Sequence, residues 1–197
     1  MSVSGINNQG ISRIYSQQMA NEGGVCSNIS DDNPIHILFS AEKGIMGSAR
    51  VMEAYGTIDS IVELARRKIP TYLSPLNKLK ALYSILINEL GYKYEGTTFL
   101  SESLSKGVPT IDCDTTSLIF MAVAHELKWP LYLAIAPYNN EFEGHMFVCW
   151  RDVNGMTINF ETTSGEVAKG KYQDYAKRMG ARLFENNREN MAAAAAY

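Results

Sequence analysis

The chain has little cysteine and no cysteine pattern. Cys26, Cys113 and Cys149 form an odd set with no Cys-x-x-Cys spacing, which argues against a disulfide framework and against a zinc site. An excess of positive charge is also lacking. The 18 Lys and Arg stand against 21 Asp and Glu, for a net charge of −3 and a pI near 5.7. No electrostatic basis is left for binding nucleic acid or an anionic membrane. Arg66-Arg67-Lys68 is the one dense basic cluster, and it reads as a solvated helix patch. No run approaches 18 consecutive apolar residues, so no transmembrane helix is expected. The opening Met1-Ser2-Val3-Ser4-Gly5-Ile6 lacks the basic start and apolar stretch of a Sec signal. The expected compartment is the reducing cytoplasm, where a free thiol persists. Export by a non-Sec route, as a secreted effector, is the alternative suggested by the polar N-terminal arm.

What is present suits an ordinary globular protein: 197 residues, 46% hydrophobic and 20% charged, enough for one domain with a substantial core. Residues 1–34 are rich in Ser, Asn, Gln, Gly and Asp and read as a flexible polar arm with a short helix around Ile11–Met19. Residues 35–185 form the expected domain, and residues 186–197, with their alanine run, a C-terminal tail.

Within the domain, Ile35-His36-Ile37-Leu38-Phe39 fits a short strand or a helix start, and Lys43-Gly44 and Met46-Gly47 are expected to break anything longer. Thr57 offers an N-cap for a helix that Pro70 ends. Ser74-Pro75 caps a second helix, whose apolar residues recur at spacings of three and four until Gly91. A short helical piece is expected within residues 98–105, and Gly107-Val108-Pro109 is a loop. A third helix runs from Cys113 to about Leu127 and stops before Trp129-Pro130. Strands follow over residues 131–136, 145–151 and 156–161, with a polar loop at 138–143 and a last helix around Tyr172–Met179.

The chemistry centres on Thr110-Ile111-Asp112-Cys113-Asp114-Thr115-Thr116-Ser117. A thiol attacks as thiolate, and a helix N-terminus with a nearby imidazolium lowers its pKa. The imidazole then needs an orienting partner on its other nitrogen. His145 opens one later strand, and Asn159 and Glu161 lie on the next. The acids at 112 and 114 oppose thiolate formation, so His145 has to supply most of the activation. Cys149 reads as packing and Cys26 as incidental. His125 lies about 120° around the helix from Cys113, and His36 has no evident partner.

Strand parity tests this constellation. If Asp152 pairs with Met156 across a loop with Gly155 in a left-handed bulge, Asn159 lies opposite Cys149 and Glu161 opposite Phe147. His145, Phe147 and Cys149 then share a face with Thr157, Asn159 and Glu161. His145 and Glu161 become diagonal neighbours. Glu161 is the favoured orienter of the imidazole and Asn159 the alternative.

In order, the chain shows Glu89-Leu90-Gly91-Tyr92, Asp112-Cys113-Asp114, Lys128-Trp129-Pro130-Leu131-Tyr132, Gly144-His145-Met146-Phe147-Val148-Cys149-Trp150 and Asn159-Phe160-Glu161-Thr162-Thr163-Ser164-Gly165. These elements resemble the transglutaminase-like superfamily, and more narrowly a bacterial branch of small transglutaminase-like proteins, over roughly residues 75–168. The resemblance implies an α+β fold with a papain-like core, in which N-terminal helices and a nucleophile helix pack on a small antiparallel sheet. It implies a triad of Cys113, His145 and Glu161. The third member in the superfamily is usually Asp.

The expected function is cysteine-dependent acyl transfer on a protein or peptide substrate: protease, glutamine deamidase or transglutaminase. One oxyanion donor is expected from the Cys113 backbone N–H. No metal or cofactor is expected. The other reading is a transglutaminase-like scaffold used only for binding.

Overall fold

In the computed structural model, residues 29–96, 99–105, 109–136, 144–167, 181–187 and 189–190 are described. Helix α1 spans Ile35–Met46 and α2 spans Ser48–Lys68. The apolar run at 35–39 is therefore a helix start, with Ile35, Leu38 and Phe39 on its buried face. Gly44 is carried inside α1. The break falls at Gly47, whose φ of 84° suits the residue without a Cβ.

The expected start at Thr57 is corrected. Helix α2 runs straight through it, because Val51, Ala54, Tyr55, Ile58, Ile61, Val62 and Ala65 form one continuous buried stripe. Thr57 Oγ1 donates back to the Glu53 carbonyl at 3.1 Å and caps nothing. The helix ends at Lys68, ahead of Pro70.

Helix α3, Pro75–Ser84, begins as expected, with Ser74 Oγ accepting the Asn77 N–H. Its last turn widens into a π turn over Ile85–Glu89 before Gly91 takes a φ of 73°. Strand β1, Lys93–Tyr94, pairs in parallel with β2, Thr110–Ile111. Between them lies α4, Leu100–Ser103, whose Leu100 and Ser101 N–H groups both donate to the Glu42 carboxylate at 2.9 and 2.7 Å. A carboxylate at a helix start meets donors that have no intrahelical partner.

Helix α5 is Cys113–Glu126. It closes with Lys128 in the left-handed region at φ 55°, while Trp129 N–H donates to Ala124 O at 2.9 Å. A five-stranded antiparallel sheet follows in the order β6-β5-β4-β3-β7. Its strands are β3 Leu131–Ala136, β4 His145–Arg151, β5 Thr157–Glu161, β6 Glu166–Val167 and β7 Arg182–Glu185. The fold is mixed helix and sheet, α+β, with α5 packed on β3 and β4.

The core joins α2, α3 and α5 to the inner sheet face, with Ile58, Leu82, Leu86, Phe120, Val148 and Phe160 fully buried. Residues 29–34, assigned to the arm by composition, pack on the end of α5. Ile29 and Asn33 are buried, and Glu126 Oε1 accepts from Ser30 N–H at 3.0 Å and from Asn33 Nδ2 at 2.9 Å. At the other boundary, Asn186 Nδ2 donates to Met121 O at 2.8 Å. The expected helix at 172–179, the loop at 138–143, the rest of the arm and most of the tail lie outside the described residues.

Candidate active site

The start of α5 is set by its own sequence. Asp112 is the N-cap: its Oδ1 accepts the Thr115 N–H at 2.8 Å, and Thr115 Oγ1 accepts the Asp112 N–H at 2.9 Å. This reciprocal capping box satisfies two donors that would otherwise be orphaned. Thr116 Oγ1 donates to Asp112 O at 2.5 Å and tightens the same turn. The first i→i−4 bond is Thr116 N–H to Asp112 O, at 3.1 Å. The Cys113 N–H precedes it and has no acceptor within the helix.

The hairpin that carries the other two residues has the expected register. Cys149 faces Asn159, Val148 faces Phe160 and Trp150 faces Ile158. Asp152 N–H donates to Met156 O at 3.1 Å, and Gly155 turns at φ 81°. The result is the pairing that parity demanded: His145 Nε2 lies 2.6 Å from Glu161 Oε2. Both side chains are about four-fifths buried, at 22% and 19% exposure. The His145 ring also stacks near Phe147, with centroids 6.1 Å apart and planes at 24°. Glu161, the favoured orienter in the sequence, meets the His145 ring at Nε2.

Cys113 is partly buried at the head of α5. The thiol donates to Asp114 Oδ1 at 3.1 Å. The backbone of Met146, the residue next to His145 on β4, acts on the sulfur in the direction that favours the thiolate. Helix α5, headed by Cys113, packs on β4, the strand that carries the imidazole.

Burial pushes the Cys113 thiol up to about 12; the hydrogen bond to Asp114 and the charges of Asp114 and Asp112 add to this, and only the Met146 backbone opposes it. The resting group is therefore a neutral thiol. Burial also pushes Cys149 up to about 11, partly offset by Arg151. At 1% exposure Cys149 is a core residue.

The remaining histidines have structural partners. His36 Nδ1 meets Tyr55 Oη at 2.8 Å and Nε2 meets Ser30 O at 3.1 Å, partners that the sequence did not reveal. His125 Nε2 lies 3.3 Å from Asp32 Oδ1. Among the described residues, no three His, Cys, Asp or Glu side chains gather as metal ligands would, and no helix is long and apolar enough to cross a membrane. Comparisons with protein-family models, with curated proteins and with solved structures each find no match to this chain.

The Asp-x-x-Thr spacing at 112–115 could have flagged the capping box, since it has the spacing of the Ser/Thr-x-x-Glu signature. Two other features carry no signal in one dimension. They are the acceptor role of Asp114 and the influence of the Met146 backbone, which depend on rotamers and on how α5 meets β4.

Proposed function

We propose that this protein is a cysteine-dependent acyl-transfer enzyme of transglutaminase-like type, acting on a protein or peptide amide through Cys113, His145 and Glu161. The observation that carries the reading is the 2.6 Å contact between His145 Nε2 and Glu161 Oε2, with His145 on β4, against which the Cys113 helix packs, and Glu161 on the neighbouring β5. The order of a nucleophile helix followed by a His strand and an acid strand is that of a papain-like core. It supports the resemblance read in the sequence.

With Nε2–H donating to Glu161, the ring is held in one tautomer, and Nδ1 becomes the nitrogen that exchanges a proton with the thiol. Because the thiol rests neutral and leans on Asp114, deprotonation accompanies substrate arrival instead of preceding it. His145 removes the thiol proton as sulfur attacks the amide carbon, and the carbonyl π electrons move to oxygen. The Cys113 N–H, which has no acceptor within α5, is the donor this reading assigns to that oxyanion. Collapse breaks the C–N bond, and the leaving amine takes the proton from His145. Water or a second amine then attacks the thioester, giving up a proton to His145 and releasing the thiol. Water on a backbone amide gives proteolysis, water on a glutamine side chain gives deamidation, and a lysine amine gives a cross-link. A reducing compartment such as the cytoplasm suits the free thiol.

The test is to incubate the protein with candidate protein substrates and score ammonia, new termini and cross-links. Cys113→Ser is expected to abolish the product that the wild type forms. Product formation that survives this substitution contradicts the reading. The second reading, an inert binding module on the same scaffold, is favoured by one observation, the Cys113 thiol donating to the Asp114 carboxylate at 3.1 Å, which with burial disfavours the thiolate. It requires that Cys113 react no faster than a buried thiol.

A further inference from the structure

Behind the proposed triad sits a polar contact that the chemistry described so far does not use. Ser117 Oγ and Thr162 Oγ1 are 2.9 Å apart, and either can be the donor. Both residues are fully buried. Ser117 lies four residues after Cys113 on α5, hence on the same helix face one turn along. Thr162 directly follows Glu161 at the end of β5. The bond therefore ties the turn of helix beneath the nucleophile to the residue beside the acid.

Around it the contacts are of other kinds. Phe120 and Phe160 also join α5 to β5, with centroids 5.8 Å apart, but an apolar contact has little directionality. The far side of the β5–β6 turn is held by Gly165 N–H to Glu161 O at 2.9 Å and by Tyr83 Oη to Thr163 O at 3.3 Å. Thr115 and Thr116 hydroxyls are engaged with Asp112. Ser117–Thr162 is thus, among the described residues, a directional link between α5 and the end of β5 that bears on how α5 is rotated and shifted relative to Glu161.

We infer that Ser117 and Thr162 are positioning residues that align the Cys113 helix with the His145–Glu161 pair. This inference rests on the triad reading above. A purely structural role would predict something different, because removing both hydroxyls leaves no unsatisfied polar group and restores stability, whereas alignment depends on the bond itself.

The experiment compares wild type, Thr162→Val, Ser117→Ala, the double variant Ser117→Ala/Thr162→Val, and Thr162→Ser. Two quantities are read: the thermal midpoint and the peptide-resolved rate at which iodoacetamide labels Cys113. His145→Ala and Glu161→Gln serve as references. The double variant is expected to recover the midpoint lost by the single variants, yet to label Cys113 about tenfold more slowly than wild type. Thr162→Ser is expected to keep the wild-type rate. If the double variant labels at the wild-type rate while His145→Ala is slow, the positioning role is overturned and the triad stands. If His145→Ala itself labels at the wild-type rate, the triad reading fails instead.

Discussion

His145 Nε2 and Glu161 Oε2 meet at 2.6 Å across neighbouring strands, sixteen residues apart in the chain. Their meeting depends on the hairpin, because a turn one residue longer or shorter would move Glu161 to the other face. Partial burial excludes much of the water that would weaken a charge-assisted contact.

Glu161→Gln keeps shape and removes the charge. It is expected to lower turnover by roughly 10²-fold, within the span attributed to positioned acid–base groups. Asn159→Ala is expected to leave turnover within about twofold, since His145 Nε2 is already met by Glu161. Steady-state rates on whichever substrate yields product check both, and equal losses would return Asn159 to the site.

Asp114 accepts the hydrogen bond of the Cys113 thiol. Asp114→Asn removes a carboxylate acceptor and a negative charge, both of which raise the Cys113 pKa, while burial, the largest cause, stays in place. The pH profile of Cys113 alkylation is therefore expected to shift to lower pH without reaching the ordinary thiol range. A profile that does not move would mean that Asp114 is solvated and away from the sulfur.

The closing turn beyond Glu161 is sterically set. Gly165 has φ 70°, and a Cβ there would come within 2.5 Å of the Tyr83 ring. Gly165→Ala is expected to cost roughly 2 kcal/mol or more in urea unfolding and to slow Cys113 alkylation by displacing the acid. A near-neutral unfolding result would show that Tyr83 swings aside freely.

Much of this architecture was legible because it is written in punctuation. Ser74-Pro75, Gly91, Trp129-Pro130 and Gly155 bound α3, α5 and the β4–β5 hairpin, and each acts through backbone rules that need no tertiary context. Parity then delivered the His145–Glu161 pairing. Residues 35–68 are less legible, since a five-residue apolar run fits either period and Thr57 looks like a cap until the stripe on both sides of it is buried. Strands β6 and β7 carry no pattern of their own. β6 is two residues long, and β7 gains its place by pairing with β3. The Ser117–Thr162 bond joins residues 45 apart, and nothing local distinguishes those two hydroxyls from others.

Alkali is expected to destabilise the fold. Burial holds Cys149 at about 11 against an unfolded value near 9. The folded state thus keeps its proton while the unfolded state gives it up, so stability is fully present below pH 9 and is lost as pH rises toward 11. Cys113 and Tyr92, both pushed up to about 12 by burial first of all, extend the loss upward. Urea midpoints across this window check the sign. Cys149→Ala is expected to flatten the lower part of the slope, and an unchanged slope would place the loss elsewhere.

The most direct measurement of the central claim is the peptide-resolved rate of iodoacetamide alkylation at Cys113 in native wild type and in His145→Ala, with Cys149 as the internal buried reference. If Cys113 and His145 act as one unit, Cys113 outpaces Cys149, and His145→Ala slows Cys113 by roughly 10²-fold. Equal rates at Cys113 and Cys149, unaffected by His145→Ala, would contradict the catalytic account and leave the scaffold as a binding module.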